Sequence, residues 1–284
     1  MNSSRRLSLP YGLTAPAAIV MLAFVAIPLL LTLSQSFYAP AADGTPAFSL
    51  AQYGAVFGDP YYRGIYLRTF ELSAVVTLIC IVIGVPEAYV LTRLSPRWRA
   101  ISMFIVLGPL LMSVVVRTLG WAVLLDRGGL VNTALLKLGL VDEPLRLMFT
   151  FTGVVIAMVH VQVPFMVLAV WTSLQKMDLA TEQAAETLGA SASTVLRRIV
   201  FPQAIPGVLS GGLIVFALTA SAFATPAIIG GRRLKVVPTS VYDEVLSSLN
   251  WPLGTALAVV LMAAVLLISI GIGRFVERRY RQVF

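Results

Sequence analysis

Apolar runs free of Lys, Arg, Asp and Glu recur along this chain. The windows between Arg6 and Asp43, Arg146 and Lys176, Arg198 and Arg232, and Glu244 and Arg274 carry no charged side chain. A helix over any of them is long enough to cross a hydrocarbon layer of about 30 Å at roughly 1.5 Å per residue. Two further windows are less clean. Glu71 to Glu87 is too short alone, so that span extends to Leu91 and keeps Glu87 near one end; Arg99 to Arg117 is barely sufficient and continues past Arg117 to Leu125. The pattern predicts six transmembrane helices, over 12–36, 67–91, 100–125, 148–174, 203–229 and 252–274.

Composition sharpens this reading. Of 284 residues 58% are apolar and only 12% charged, against about 25% charged in ordinary soluble domains. A soluble globule of this size could not cover its surface, which excludes a cytosolic enzyme. One cysteine, Cys80, and one histidine, His160, exclude a disulfide framework and a His/Cys zinc site by count. The net charge of +8 reflects orientation rather than nucleic-acid binding. Six spans put both termini on one side. With the termini cytoplasmic, the inside segments hold 12 basic and 5 acidic residues and the outside segments 9 and 8. The positive-inside rule therefore places both termini in the cytoplasm. Ser4-Arg5-Arg6 before an apolar run is also the layout of a signal peptide, including the twin-arginine type. The run exceeds the usual core of about 7–15 residues, so it reads as a retained first helix.

The loops differ in character. The first outside loop, about 38–65, is rich in Ala, Gly, Pro and Tyr, and Leu130 to Leu140 has apolar residues at helical spacing, suited to the membrane surface. The longest inside loop, Gln175 to Phe201, carries the most information. Asp178 or Thr181 can cap a first helix, with Glu182 in its acidic first turn. Ala184, Ala185 and Leu188 share an apolar face. Gly189 marks a helix end, since glycine takes the left-handed cap freely. Ser191 or Ser193 can cap a second helix with Val195, Leu196 and Ile199 inward and Arg197 and Arg198 toward headgroups. Pro202 then opens the fifth span at a tolerated position. A short rigid helix of this kind suits a partner's groove; the plainer alternative is a surface helix linking two spans.

This loop resembles the EAA loop of bacterial ABC-importer permeases: Glu-Ala-Ala, three residues, Gly, nine residues, Ile, one residue, Leu-Pro. The matching places are Gln183, Ala184, Ala185, Gly189, Ile199, Phe201 and Pro202, with Gln183 in place of the acid beside Glu182, and Phe201 in place of leucine. Val116-Arg117-Thr118-Leu119-Gly120-Trp121, Leu140 to Arg146, Val163 to Leu168 and Asn250 to Gly254 are similar to the first permease of spermidine/putrescine-type importers. The resemblance implies an all-α membrane protein with the type I importer permease fold, a five-helix core plus an N-terminal helix. It divides the chain into 1–66 (first helix and periplasmic loop), 67–274 (core, with coupling loop 175–201) and a tail, 275–284. It implies a bacterial inner-membrane subunit that docks an ATPase through Glu182, Gln183, Ala184, Ala185, Leu188, Gly189, Ile199 and Pro202. Its expected partners are a second permease, two ATP-binding subunits, a periplasmic solute-binding protein, the bilayer and a small solute, with no nucleic acid. The chain has no Gly-x-x-x-x-Gly-Lys-Ser/Thr loop, so no cofactor is expected on it and ATP-Mg belongs to the partner.

Polar groups at membrane depth mark pathways. His160 and Gln162 lie mid-span; Arg117 and Trp121 lie toward the outer end of the third span; Ser221 and Thr225 stand with Thr219 and Pro226 in the fifth. These are the candidate pathway residues. His160 can equally hydrogen-bond a neighbouring helix, and Glu87 reads as a packing or salt-bridge residue. Gly207 and Gly211 form a small-residue face for close helix contact. Permeases of the polyamine type commonly carry acids in the fifth span, where this chain has Ala222 and Ala227. With Arg232, Arg233 and Lys235 at the mouth, an anionic or zwitterionic solute fits as well as a polyamine. An ion-coupled secondary transporter is the alternative, but it needs intramembrane acids or paired repeats, which this sequence lacks.

Overall fold

The structure is a computed structural model that describes residues 4–40, 46–176 and 179–279. It opens with α1 (Ser4–Gln35), a hairpin of β1 (Tyr38–Pro40) and antiparallel β2 (Pro46–Phe48), α2 (Ala51–Gly58) and α3 (Pro60–Arg93). There follow α4 (Pro96–Leu107), α5 (Val114–Leu125), α6 (Leu130–Lys137), α7 (Phe151–Leu174), α8 (Leu179–Thr187) and α9 (Ala192–Val195). The chain closes with α10 (Phe201–Ala220), α11 (Val237–Tyr242) and α12 (Trp251–Arg279). Among the described residues five helical stretches are long and apolar enough to cross a membrane. A sixth crossing results if Pro96–Leu111 and Val114–Lys137, bent by 98°, are counted as one.

The first helix starts at Ser4 rather than 12 and the last runs on to Arg279 rather than 274; three further departures have a physical reason in the chain. The second span begins seven residues earlier than expected, at Pro60 rather than 67, a residue tolerated in a helix's first turn. The third span is not one helix. A 3-10 turn over Gly108–Leu111 and an extended Met112 separate α4 from α5, because Pro109 donates no backbone hydrogen bond. The fifth helix ends at Ala220, not 229, and resumes as a π turn over Pro226–Gly230. The hairpin β1–β2 is also an addition to an otherwise helical reading.

The chain packs as two units. In the first, residues 1–63 and 240–262, the loop after α1 folds back: Ser36 is buried, and its hydroxyl shares a 2.7 Å hydrogen bond with the Tyr53 hydroxyl. The Tyr62 hydroxyl donates to Glu244 Oε1 at 3.1 Å. No residue in the most apolar window of Thr14–Gln35 is buried within the chain, as befits a helix apolar on all sides in lipid.

The second unit, residues 64–239 and 263–284, holds the main core. Its axis is α7, which is capped by Thr150, whose Oγ1 accepts from Gly153 N at 3.2 Å. Phe149 N donates to Ile229 O at 2.8 Å and so ties the start of α7 to the π turn. Along α3, Thr69, Ser73 and Thr77 each donate to the carbonyl four residues back, at 2.7–2.8 Å. This satisfies all three hydroxyl donors within the helix, and Thr69 Oγ1 also accepts from Val237 N of α11 at 3.0 Å. Met166 of α7 sits between two glycines. A Cβ on Gly84 of α3 would come within 2.8 Å of its Cγ, and one on Gly211 of α10 within 2.9 Å of its sulfur. The expected small-residue face is therefore where three helices meet.

Asn132, fully buried on α6, braces the loop before α7. Its Nδ2 donates to Asp126 O and Leu145 O, both at 3.0 Å, and its Oδ1 accepts from Leu145 N at 2.8 Å. Asn132→Ala is expected to cost about 1–3 kcal/mol by stranding these groups. Asn132→Asp should cost more, since an oxygen would face two carbonyl oxygens. Thermal unfolding of the detergent-solubilised protein checks this; unchanged midpoints for both variants would rule out the brace.

Candidate functional site

Residues 179–220 form a helix, a glycine turn and a second helix. Gly189 has φ +83°; its N–H donates to Glu186 O at 2.9 Å, and Ala190 N–H donates to Ala185 O at 3.0 Å. That pair of bonds is a Schellman ending. Asp178, one of the two expected caps, lies outside the described residues, and Thr181 lies inside α8 rather than at its start. Ser191 does hold the N-cap position of α9. Its hydroxyl, however, bonds the side chains of Ser193 (3.1 Å) and Thr194 (2.9 Å) instead of a backbone amide.

Pro202 does not start a new helix. The chain is helical from Ala192 to Ala220, with a π turn over Leu196–Val200 just before the proline. Phe201 N–H donates to Leu196 O. Widening the helix there removes the clash that an interior proline makes with the carbonyl four residues back.

The loop residues divide by exposure. Gln183, Ala184 and Gly189 are exposed, and Leu188 at the tip is 89% exposed; Ala185 and Ile199 pack against the core and Pro202 is half-buried. Leu196, expected inward, is exposed, while Val195 is buried. Glu182 is 1% exposed, and its carboxylate is ion-paired with Arg93 at the end of α3. The sequence reading placed both residues on the same side of the membrane but did not pair them. The only signal was an acid and a base on two inside segments.

The intramembrane candidates do not form one cluster: three bonded sets hold four of them, and two stand apart. The Trp121 indole N–H donates to His160 Nδ1 at 3.1 Å, with the rings edge to face. Thr118 and Thr225 share a buried hydrogen bond of 3.1 Å, joining α5 to the stretch after α10. Arg117 is 6% exposed and turned inward; its guanidinium donates to Pro109 O, a carbonyl freed by the α4–α5 break. A broken helix is tolerated in a membrane when freed backbone groups are satisfied in this way. Gln162 is buried with its Oε1 unpartnered, and the exposed Ser221 hydroxyl bonds its own helix at Ala217 O, 2.9 Å. Neither joins the other candidates.

Trp121 and His160 line a cavity of about 390 Å³ between α3, α4, α5 and α7. Its walls are otherwise apolar, among them Ile83, Ile105, Val159 and Val163, with one carboxylate, Glu87. Among the described residues Glu87, half-buried, makes no ion pair or hydrogen bond, so the salt-bridge alternative expected of it is not what the structure displays.

A family model described as "Binding-protein-dependent transport system inner membrane component" matches residues 13–282. The spermidine/putrescine transport system permease protein PotB of Haemophilus influenzae is 30% identical over 261 residues, which is 90% of this chain and 91% of that protein. Among solved structures, a chain of a bacterial ABC transporter that imports the acidic polysaccharide alginate has a TM-score of 0.80 at 18% identity over 96% of each chain. The same kind of transporter, in complex with an alginate pentasaccharide-bound periplasmic protein, gives 0.79 at 18% identity over 97% of this chain and 96% of that one. At such identities the likeness shows the fold alone: that of an importer's membrane domain. With its membrane-crossing helices and the family match over nearly its whole length, this chain belongs to the inner-membrane permease family of binding-protein-dependent ABC importers.

Proposed function

We propose that this chain is one of two membrane subunits of an ATP-driven importer for a small amine, a polyamine or a related amino-acid derivative. The family match along residues 13–282 carries the reading, and the name of the PotB relative supports the solute class. Two ATP-binding subunits hydrolyse ATP beneath it, a second, related permease completes the pathway, and a periplasmic binding protein delivers the solute. Both termini are cytoplasmic, in line with the inside excess of Arg and Lys.

The loop 175–201 is the docking element. Gln183, Ala184 and Leu188 offer an exposed apolar and small-residue surface beyond the core, held on a glycine turn. Glu182 acts inside the chain by anchoring α8 to α3. Trp121, His160 and Thr225 stand nearest the solute route, and Arg117 holds the broken third span that shapes it. Leu188→Glu is expected to release the ATPase subunits with little effect on this chain's own fold, because the side chain is 89% exposed. Gly189→Val adds a left-handed strain of about 1–2 kcal/mol and should loosen the same contact. Co-purification of the ATPase with tagged permease is the measurement. Full recovery of the complex with both variants would remove the loop from the interface.

A further inference from the structure

We infer that Glu87 is the ammonium-recognising residue of a solute site in the cavity shared with Trp121 and His160. This rests on the importer reading above and names a site within it. A carboxylate within a membrane span is costly unless a cation meets it. Glu87 lies two turns from the end of α3, on the same face as Ile83, and both residues line the cavity. Nothing in the described chain neutralises it. Arg117, the basic candidate on α5, is buried with its guanidinium on the Pro109 carbonyl and does not line the cavity.

The other walls complete the chemistry. Trp121 presents an indole ring, the best aromatic surface for an ammonium. Its N–H is already used on His160 Nδ1, so the pair is fixed in orientation and the neutral imidazole keeps its proton on Nε2. Ile83, Ile105, Val159 and Val163 form an apolar wall for methylenes. A volume of about 390 Å³ lies in the range of small-molecule sites, about 300–1,000 Å³. A carboxylate, an aromatic ring and an aliphatic wall fit an alkylammonium: the charged nitrogen at Glu87 and the chain along the wall. An anion would meet Glu87 as a like charge, and a zwitterion would find no Arg or Lys lining the cavity for its carboxylate. The cavity thus selects among the solute classes that the fifth span left open.

The test is uptake by the complete importer with its binding protein, reconstituted in vesicles of phosphatidylcholine and phosphatidylglycerol. Neither lipid carries a primary amine, and the quaternary ammonium of phosphatidylcholine is the same for parent and variants, so differences between them report on the added amine. The probes are radiolabelled putrescine and spermidine. Glu87→Gln is expected to lower the uptake rate about tenfold or more, the scale of one lost charge-assisted contact, while Glu87→Asp regains most of it. If the Gln variant fails to assemble, Cys80→Ala/Glu87→Cys replaces it. Cationic methanethiosulfonate labelling of that thiol should be slowed by putrescine during turnover. Uptake by Glu87→Gln within twofold of the parent, or labelling indifferent to putrescine, overturns the site and leaves the importer standing. ATP-dependent uptake of an anion but of neither amine overturns both the site and the proposed solute class.

Discussion

Gly207→Leu is expected to abolish accumulation of the folded protein in the membrane, and Gly207→Ala to lower its thermal midpoint by several degrees. The reason is the closeness of α7 and α10. A Cβ on Gly207 would lie 2.6 Å from Ala169 O, 2.7 Å from Val170 Cα and 2.8 Å from Ser173 Cβ. Two of those atoms are backbone and cannot step aside by a rotamer change, so the helices must part. Overpacking of this kind costs about 1–3 kcal/mol for a small addition and more for a large one. Separation would also stretch the 2.9 Å bond from Ser173 Oγ to Gln203 O, one turn away. In lipid no hydrophobic force restores the contact, since acyl chains solvate the faces equally well. Gly271→Ala is the control, because an added methyl there meets nothing within 4 Å. Equal midpoints for Gly207→Ala and the control would falsify the close-packed seam.

Removal of Arg93 is expected to uncouple transport. Glu182 is buried, and Arg93 is its counter-charge, 40% exposed. Taking away one partner of a buried pair leaves a stranded charge, a loss of several kcal/mol when both groups are buried. With Arg93 partly solvated, about 1–2 kcal/mol is the reasonable scale. The consequence is mechanical as much as energetic: α8 loses its tie to α3. Arg93→Ala should therefore depress solute uptake more than ATP hydrolysis in the reconstituted importer. Arg93→Gln/Glu182→Gln, which removes both charges, should recover part of the ratio, because coupled sites are non-additive. Strictly additive losses would show that the two residues act separately.

Much of the fold was legible because a bilayer constrains sequence locally. Each crossing must be a long run of apolar residues that satisfies its own backbone, so windows free of charge located α7 closely and fixed one end each of α1 and α12. Gly189 was legible for a similar reason: a left-handed residue at a helix end is a local demand. The breaks were not. Pro202 looked like a helix start, yet the chain absorbs it in a π turn, and Pro109, inside an apparently continuous span, interrupts it. A proline's local cost is readable, but whether the backbone widens, kinks or stops depends on what satisfies the freed groups. At Pro109 that is Arg117, one element away.

The site divides along the same line. The types of residue were visible, but their companions were not. His160 and Trp121 were each singled out, and only packing joined them; Glu182 and Glu87 were both noted as acids, and only packing gave one an arginine and left the other facing a cavity. The sequence by itself determined most of the crossings and the helix–glycine–helix form of the loop around Gly189, since hydrophobic length and a left-handed helix end are demands that act over a few residues. Tertiary structure alone decided which charges are neutralised, where helices break and which walls enclose a cavity. Those outcomes depend on contacts between segments far apart in the chain.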